Sequence, residues 1–269
     1  KSTLLEFRSV LFRFVTSKQA DLSSVILTQE KVLDRGVELD FILSDTEIFV
    51  GRTLTVQDFK SYSHRDYGRP ARDAYSGMLP PKVAQMMVNL SHCPLNGTLM
   101  DPFCGSGTIL QEAMLLGYKN LRGSDLSEDA VTDTNKNLTW LMQEYKVDAD
   151  VDLFVSDVID LQIPKGSMEA IVTEPYLGPA DKGRVNTKII EKNLLKLEHL
   201  YKDAFRILTR LLKRHGRLVV VIPSFHFQGQ TFHLPIQSLF PPALTIQQQL
   251  SYSRPNQYVT RTIVVSQKD

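Results

Sequence analysis

Charge of one sign is what this sequence has least of. Its 31 basic and 30 acidic side chains leave a formal net charge of +1 over 269 residues. A free-standing nucleic-acid binder is usually far more basic. Either the substrate is small, or a local patch or a partner supplies phosphate affinity. Cysteine is scarce as well. Cys93 and Cys104 make neither a disulfide framework nor a four-ligand zinc site, so no metal is expected, and a reducing compartment, the cytoplasm, fits them best. No run of about 18 apolar residues is present, and no membrane span is expected. The opening "KSTLLEFRSVLFRF" alternates charged and apolar residues and shows no signal-peptide cleavage pattern. No initiating Met precedes it, which suggests the edge of a fragment. Internal repeats and low-complexity segments are absent too. What the chain does have is apolar content, 42%, enough for one large domain with a smaller appendage.

Residues 1–57 read as that appendage. Residues 4–15 suit a strand. "DLSSVILTQEKVLDRG" suits a short helix with Asp21 or Ser23 near its start and Gly36 at its stop. "VELDFIL" and "EIFVGRTLTV" flank a turn and suit a β-hairpin. The Arg-rich stretch 58–78 reads as an ordered loop or linker. From residue 79 to 269 the rhythm becomes alternating helix and strand. Helices are expected over "LPPKVAQMMVNL", with Pro80 and Pro81 set for a first turn, over "GTILQEAMLLG", and over "SEDAVTDTNKNLTWLMQEY" with Ser127 as its cap. A long amphipathic helix is expected over 189–216, closed by Gly216. Strands are expected at "GTLMD", "NLRGSD", "VDLFVSD", "EAIVTEP" and "RLVVVIP", and the tail reads as a closing antiparallel hairpin. This order predicts an α/β fold: a Rossmann-like, mostly parallel sheet of seven strands covered on both faces, with ligands beyond the carboxyl ends of the strands.

"MDPFCGSGTIL" places a tight turn with Gly105 and Gly107 between a strand and a helix. Three ligands compete for it. A phosphate loop needs Lys after the last glycine, and none follows Gly107. A dinucleotide fingerprint needs a third glycine, and Leu110 holds that place. S-adenosylmethionine has no pyrophosphate to cradle, and an acid at the strand end, Asp101, suits its amino-acid ammonium. Asp125 ends the next strand and suits ribose hydroxyls, with Leu126 beside it. Asp157 ends the third and suits an adenine amino group, with Val158 packing on the ring. Each acid alone reads more readily as a cap or a turn residue, but three at successive strand ends beside a glycine turn favour a bound nucleoside.

These residues resemble a known family. "DPFCGSGT" is similar to the first motif of class I methyltransferases acting on amino nitrogens of nucleic acids. "RDYGRPARDAYSGMLPPKVAQMMVNL" resembles the segment before the catalytic domain of tRNA guanine-10 N2-methyltransferases, and "SRPNQYVTRTIVV" resembles their closing hairpin. The resemblance implies cofactor contacts at Met78, Leu79, Asp101, Pro102, Phe103, Gly105, Gly107, Asp125 and Asp157, and a target-base pocket at Thr173, Glu174, Pro175 and Tyr176. It implies guanine-N2 methylation of RNA, with tRNA as the expected partner. Relatives carry an N-terminal THUMP RNA-binding module for which this chain has little room. A separate RNA-binding module or a small activating subunit would then be needed.

The family's usual loop is Asp-Pro-Pro-Tyr or Asn-Pro-Pro-Tyr; here it is "TEPY". Ungapped, Thr173 replaces the acid. Gapped, Glu174 is the acid and one proline is missing. Glu174 is the preferred acceptor because the methylated nitrogen becomes cationic. A degenerate loop that binds without transferring, or amino-methylation of DNA adenine or protein glutamine, stands as the alternative. Cys104 reads as packing in the turn. Arg65, Arg69 and Arg72, near His64 and tyrosines 62, 67 and 75, suit RNA phosphates; equally, they suit a folded linker paired with Asp66 and Asp73. Lys202, Arg206, Arg210, Lys213 and Arg214 suit a solvated helix face, and His226 and His233 suit exposed or structural places.

Overall fold

The computed structural model describes residues 15, 22–72, 78–179, 186–253 and 258–269. The chain divides into two compact units, Lys1–His64 and Arg65–Asp269. In the small unit the expected single helix is two, α1 (Ser24–Gln29) and α2 (Val32–Arg35). The Ser23 hydroxyl caps α1 by accepting from the Ile26 amide, and Lys31, at φ 52°, breaks the run. Strands β1 (Leu39–Leu43) and β2 (Ile48–Arg52) form the expected antiparallel hairpin. The strand expected over residues 4–15 lies outside the described residues except for Val15, which is in no strand.

Helix α3 (Phe59–Tyr67) occupies part of the stretch read as a loop. Its polar sequence carries no apolar stripe, so periodicity could not reveal it. The Asp58 carboxylate accepts from the Ser61 amide and starts it.

The larger unit runs α4 (Pro81–Leu90), β3 (Thr98–Asp101), α5 (Thr108–Leu115), β4 (Asn120–Asp125), α6 (Glu128–Tyr145), β5 (Asp150–Val155), β6 (Met168–Thr173), α7 (Thr187–Leu211), β7 (Leu212–Phe227), β8 (Gln230–His233), α8 (Ile236–Leu239), β9 (Leu244–Tyr252) and β10 (Val259–Lys268). The sheet order is β5-β4-β3-β6-β7-β10-β9. The first five strands are mutually parallel, and β10 is antiparallel to both its neighbours. An eighth strand joins the expected seven: β8 folds back on β7. Its turn, Gln228 and Gly229, has positive φ at both residues, as two-residue hairpins require. Gln-Gly is a weak sequence signal for that turn.

Alternation along the strands builds two cores. Leu99, Ala170, Val172, Val219, Val221 and Ile263 pack with α4, α5 and α6. Their sequence neighbours Met100, Ile171, Leu218, Val220, Ile222 and Val264 pack with α7 and α8 on the other face. Period-two side-chain direction makes this division unavoidable in a strand covered on both faces. Helix α7 ends five residues before Gly216, so Lys213, Arg214 and Gly216 lie in β7. Gly216 serves a close strand approach rather than a helix stop: a Cβ there would sit 3.0 Å from the Glu169 carbonyl oxygen. The strand order reverses direction around β3 and β6, and the carboxyl ends of those two strands mark the topological switch point.

Candidate active site at the switch point

Asp101 ends β3 and Thr173 ends β6. Both are buried, and the Thr173 hydroxyl donates to Asp101 Oδ1 at 2.7 Å. The Phe103 amide donates to the same oxygen at 3.2 Å. Burial, with smaller pushes from the charges of Asp125 and Glu174, raises the Asp101 carboxyl to about 7 against the downward pull of these two hydrogen bonds. A carboxylate so poorly solvated gains strongly from an incoming cation.

The turn after β3 is held by the Gly107 amide donating to the Cys104 carbonyl and the Cys104 amide donating to the Ser124 carbonyl. Gly105 and Gly107 both have positive φ, for different reasons. A Cβ on Gly107 would strike Thr134 at 2.9 Å, whereas a Cβ on Gly105 would meet nothing within 4 Å. Gly107 therefore serves the packing of α6, and Gly105 borders open space. Asn137 of α6 fixes the turn to the preceding segment: it donates to the Ser106 and Ala71 carbonyls and accepts from the Ala71 amide. Burial raises the Cys104 thiol far above its ordinary value, in keeping with a packing role.

At the end of β4, Asp125 accepts from the Gly105 amide through one oxygen and from the Ser127 amide through the other, both at 3.0 Å. At the end of β5, Asp157 accepts from the Ile159 amide at 3.2 Å and caps a 3-10 turn, Val158–Asp160. Leu126 is exposed and Phe103 half-buried, while Pro102 is buried. Leu79 and Val158 are buried, Leu79 packing in one core and Val158 in the other.

The loop after β6 gives Thr173 and Glu174 different partners. Thr173 is fully buried and committed to Asp101. Glu174 Oε1 accepts from Arg261 Nε of β10 at 2.6 Å, with both side chains nearly buried. Burial raises the Glu174 carboxyl, and Arg261 opposes the shift. Pro175 is buried; the Tyr176 ring is exposed, and its carbonyl accepts from the Tyr201 hydroxyl of α7 at 2.8 Å. Gly178, at φ 100°, passes the loop over Phe225.

The basic cluster is a correction. Arg65 is buried and makes a two-point contact with Glu112 of α5, at 2.6 and 3.2 Å. Arg69 is buried too, donating to Thr108 Oγ1 and to Met78 Sδ, each at 2.7 Å. Neither guanidinium is presented to a phosphate. Only Arg72 of the three is exposed, lying 4.9 Å over the Tyr67 ring. Asp73 and Tyr75 fall outside the described residues. Glu112, Asn137, Tyr201 and Arg261 were missed from sequence. Each acts on a residue at least 25 positions away, and no local pattern announces such a partner. An acid and an amide on otherwise apolar helix faces were the sole available hints.

Among the described residues, no helix is long and apolar enough to cross a membrane. The chain is 30% identical over 246 residues to the tRNA (guanine(10)-N2)-dimethyltransferase of Methanothermobacter thermautotrophicus, covering 87% of this chain and 65% of that one. It is 31% identical over 205 residues to the enzyme of the same name from Pyrococcus abyssi, covering 71% and 54%. The chain thus spans between about half and two thirds of the length of these curated relatives. Among solved structures, TrmN from Thermus thermophilus shares the fold with a TM-score of 0.53 at 21% identity, over 88% of this chain and 61% of that one. Residues 69–227, from the buried Arg69 through the switch point to the end of β7, match the family described as "RMKL-like, methyltransferase domain". With more than half its length matched and the switch-point site inside the match, the chain belongs to that family of methyltransferase domains.

Proposed function

We propose that this chain transfers a methyl group from S-adenosylmethionine to the exocyclic N2 of guanine in RNA, and that the RNA is tRNA. One observation carries the reading. A dehydrated carboxylate, Asp101, at the end of β3 is hydrogen-bonded to Thr173, the residue that opens the Glu-Pro-Tyr loop at the end of β6. On this reading the cofactor and target-base subsites lie side by side. The names of the two archaeal relatives point to the same base and the same nitrogen.

The residues fit the cofactor. Gly105 borders open space, and Asp101 offers a carboxylate that a cation would stabilise. Asp125 and Asp157 each keep acceptor capacity beyond the backbone amides they already bind, enough for ribose hydroxyls and an adenine amino group. When bound, the cofactor supplies an electrophilic methyl group on a sulfonium. The protein must then align the guanine amine, whose lone pair is delocalised into the ring. Glu174 is the acceptor for that amine. Its carboxylate is held on one oxygen by Arg261, and its negative charge favours the nitrogen as it becomes cationic. Thr173, fully buried, holds Asp101 instead. Tyr176 presents an exposed ring on which the base stacks. The cytoplasm is the compartment, and a separate RNA-binding module or subunit supplies phosphate affinity that the buried Arg65 and Arg69 do not.

A second reading has an observation in its favour: Glu174 is already paired with Arg261, as in a loop kept for structure alone. Incubation with methyl-labelled S-adenosylmethionine and unmodified tRNA, followed by digestion to nucleosides, decides between them. Label in N2-methylguanosine supports transfer. Cofactor binding without label supports a binding module. Label in DNA or protein instead overturns the guanine assignment.

A further inference from the structure

Arg69 is 3% exposed, and among the described residues no carboxylate forms an ion pair with it; Asp66 and Glu112 act on its charge only through space. Glu112, the nearest buried acid on α5, is taken by Arg65 through both oxygens. What Arg69 has is a threonine hydroxyl and a thioether. A thioether is a weak acceptor, and Arg69 Nε has no partner at all. Gln111 Oε1, one turn along α5 from Thr108, is likewise unpaired. Guanidinium groups are rarely buried without a counter-charge, because dehydration of an unpaired charge is costly. Burial lowers the Arg69 pKa, against the opposing charges of Asp66 and Glu112.

Its position says what anion is missing. Arg69 ties Met78 to Thr108, the first residue of α5. Its guanidinium therefore stands at the far end of the glycine turn from Asp101, beside a helix start that favours negative charge. Asp101 offers a negative group at one end of the turn; Arg69 offers a positive one at the other. An α-amino acid carries the complementary pair on one carbon.

We propose that Arg69 binds the carboxylate of the cofactor's methionine moiety. The inference rests on the S-adenosylmethionine reading above and adds the residue that recognises one group of that ligand. It moves Arg69 from the RNA surface to the cofactor pocket.

Calorimetry on the full chain tests it with two ligands that differ by one group, S-adenosylhomocysteine and its decarboxylated form. Wild type should prefer the carboxylate-bearing ligand by about 100-fold, the range seen when one partner of a buried charge pair is removed. Arg69→Met should lose that preference by weakening only the first ligand, and Arg69→Lys should keep part of it. Equal binding of the two ligands by wild type would overturn the inference while leaving the cofactor intact. So would equal weakening of both in Arg69→Met, which marks a structural role. Should Arg69→Met not fold, the wild-type ratio and Arg69→Lys decide. If wild type binds neither ligand, the cofactor reading and this inference fall together.

Discussion

The ends of β3 and β6 keep their polar groups dry, whereas the ends of β4 and β5 keep theirs half in water. Asp101 and Thr173 are buried against each other, and Glu174 is nearly so against Arg261. Asp125 and Asp157 are half-buried and spend themselves on nearby backbone amides. Charge in a dry setting interacts more strongly with whatever arrives. In the function proposed above, the β3–β6 half grips a cation and orients an amine, and the β4–β5 half shapes the turn and offers hydrogen bonds to a neutral nucleoside.

Four substitutions probe this division. The largest effect belongs to Glu174→Ala: turnover should drop on the order of 1,000-fold, as when a transition-state acceptor is lost, with the KM for S-adenosylmethionine within a few-fold. Steady-state rates check it, and undiminished turnover would move the chemistry out of the dry half. Thr173→Val keeps the shape but strips Asp101 of its side-chain donor. Denaturant unfolding should show a loss of about 1–3 kcal/mol at pH 8. The loss should be smaller at pH 5, where Asp101 carries its proton. Next comes Asp125→Asn, which should weaken S-adenosylhomocysteine about tenfold in calorimetry by removing one charge-assisted hydrogen bond. A thousandfold loss would mean that the wet half grips as hard as the dry one. Asp157→Ala should do least, costing roughly 1 kcal/mol of stability through the lost cap.

Sequence revealed whatever depends on neighbours along the chain. The two-faced strands showed in runs such as Val219 to Ile222, the α6 cap in Ser127, and the turn in Gly105 and Gly107. It concealed whatever depends on partners across the fold. Arg65 and Arg69 look like surface arginines until Glu112 and Thr108, about forty residues later, come to meet them. Glu174 reads as a loop acid until Arg261 arrives from the last strand. Helix α7 stops early because Leu212 pairs with Met168 of β6, a tertiary demand that overrides a helical pattern continuing to Gly216. Long-range electrostatics and sheet register leave no local trace, and the missed site residues are of that kind.

The claim on which the account turns is that Asp101, ionised, holds the cofactor's ammonium. Its folded carboxyl sits near pH 7, well above its ordinary value, because of burial. Protonation thus favours the empty folded protein at low pH, and ligand binding must release that proton. The affinity for S-adenosylhomocysteine, measured by calorimetry from pH 5 to pH 8.5, should rise by about tenfold per unit up to about 7 and then level off. In Asp101→Asn it should be weak and flat. A wild-type affinity that does not change across that range would contradict the account.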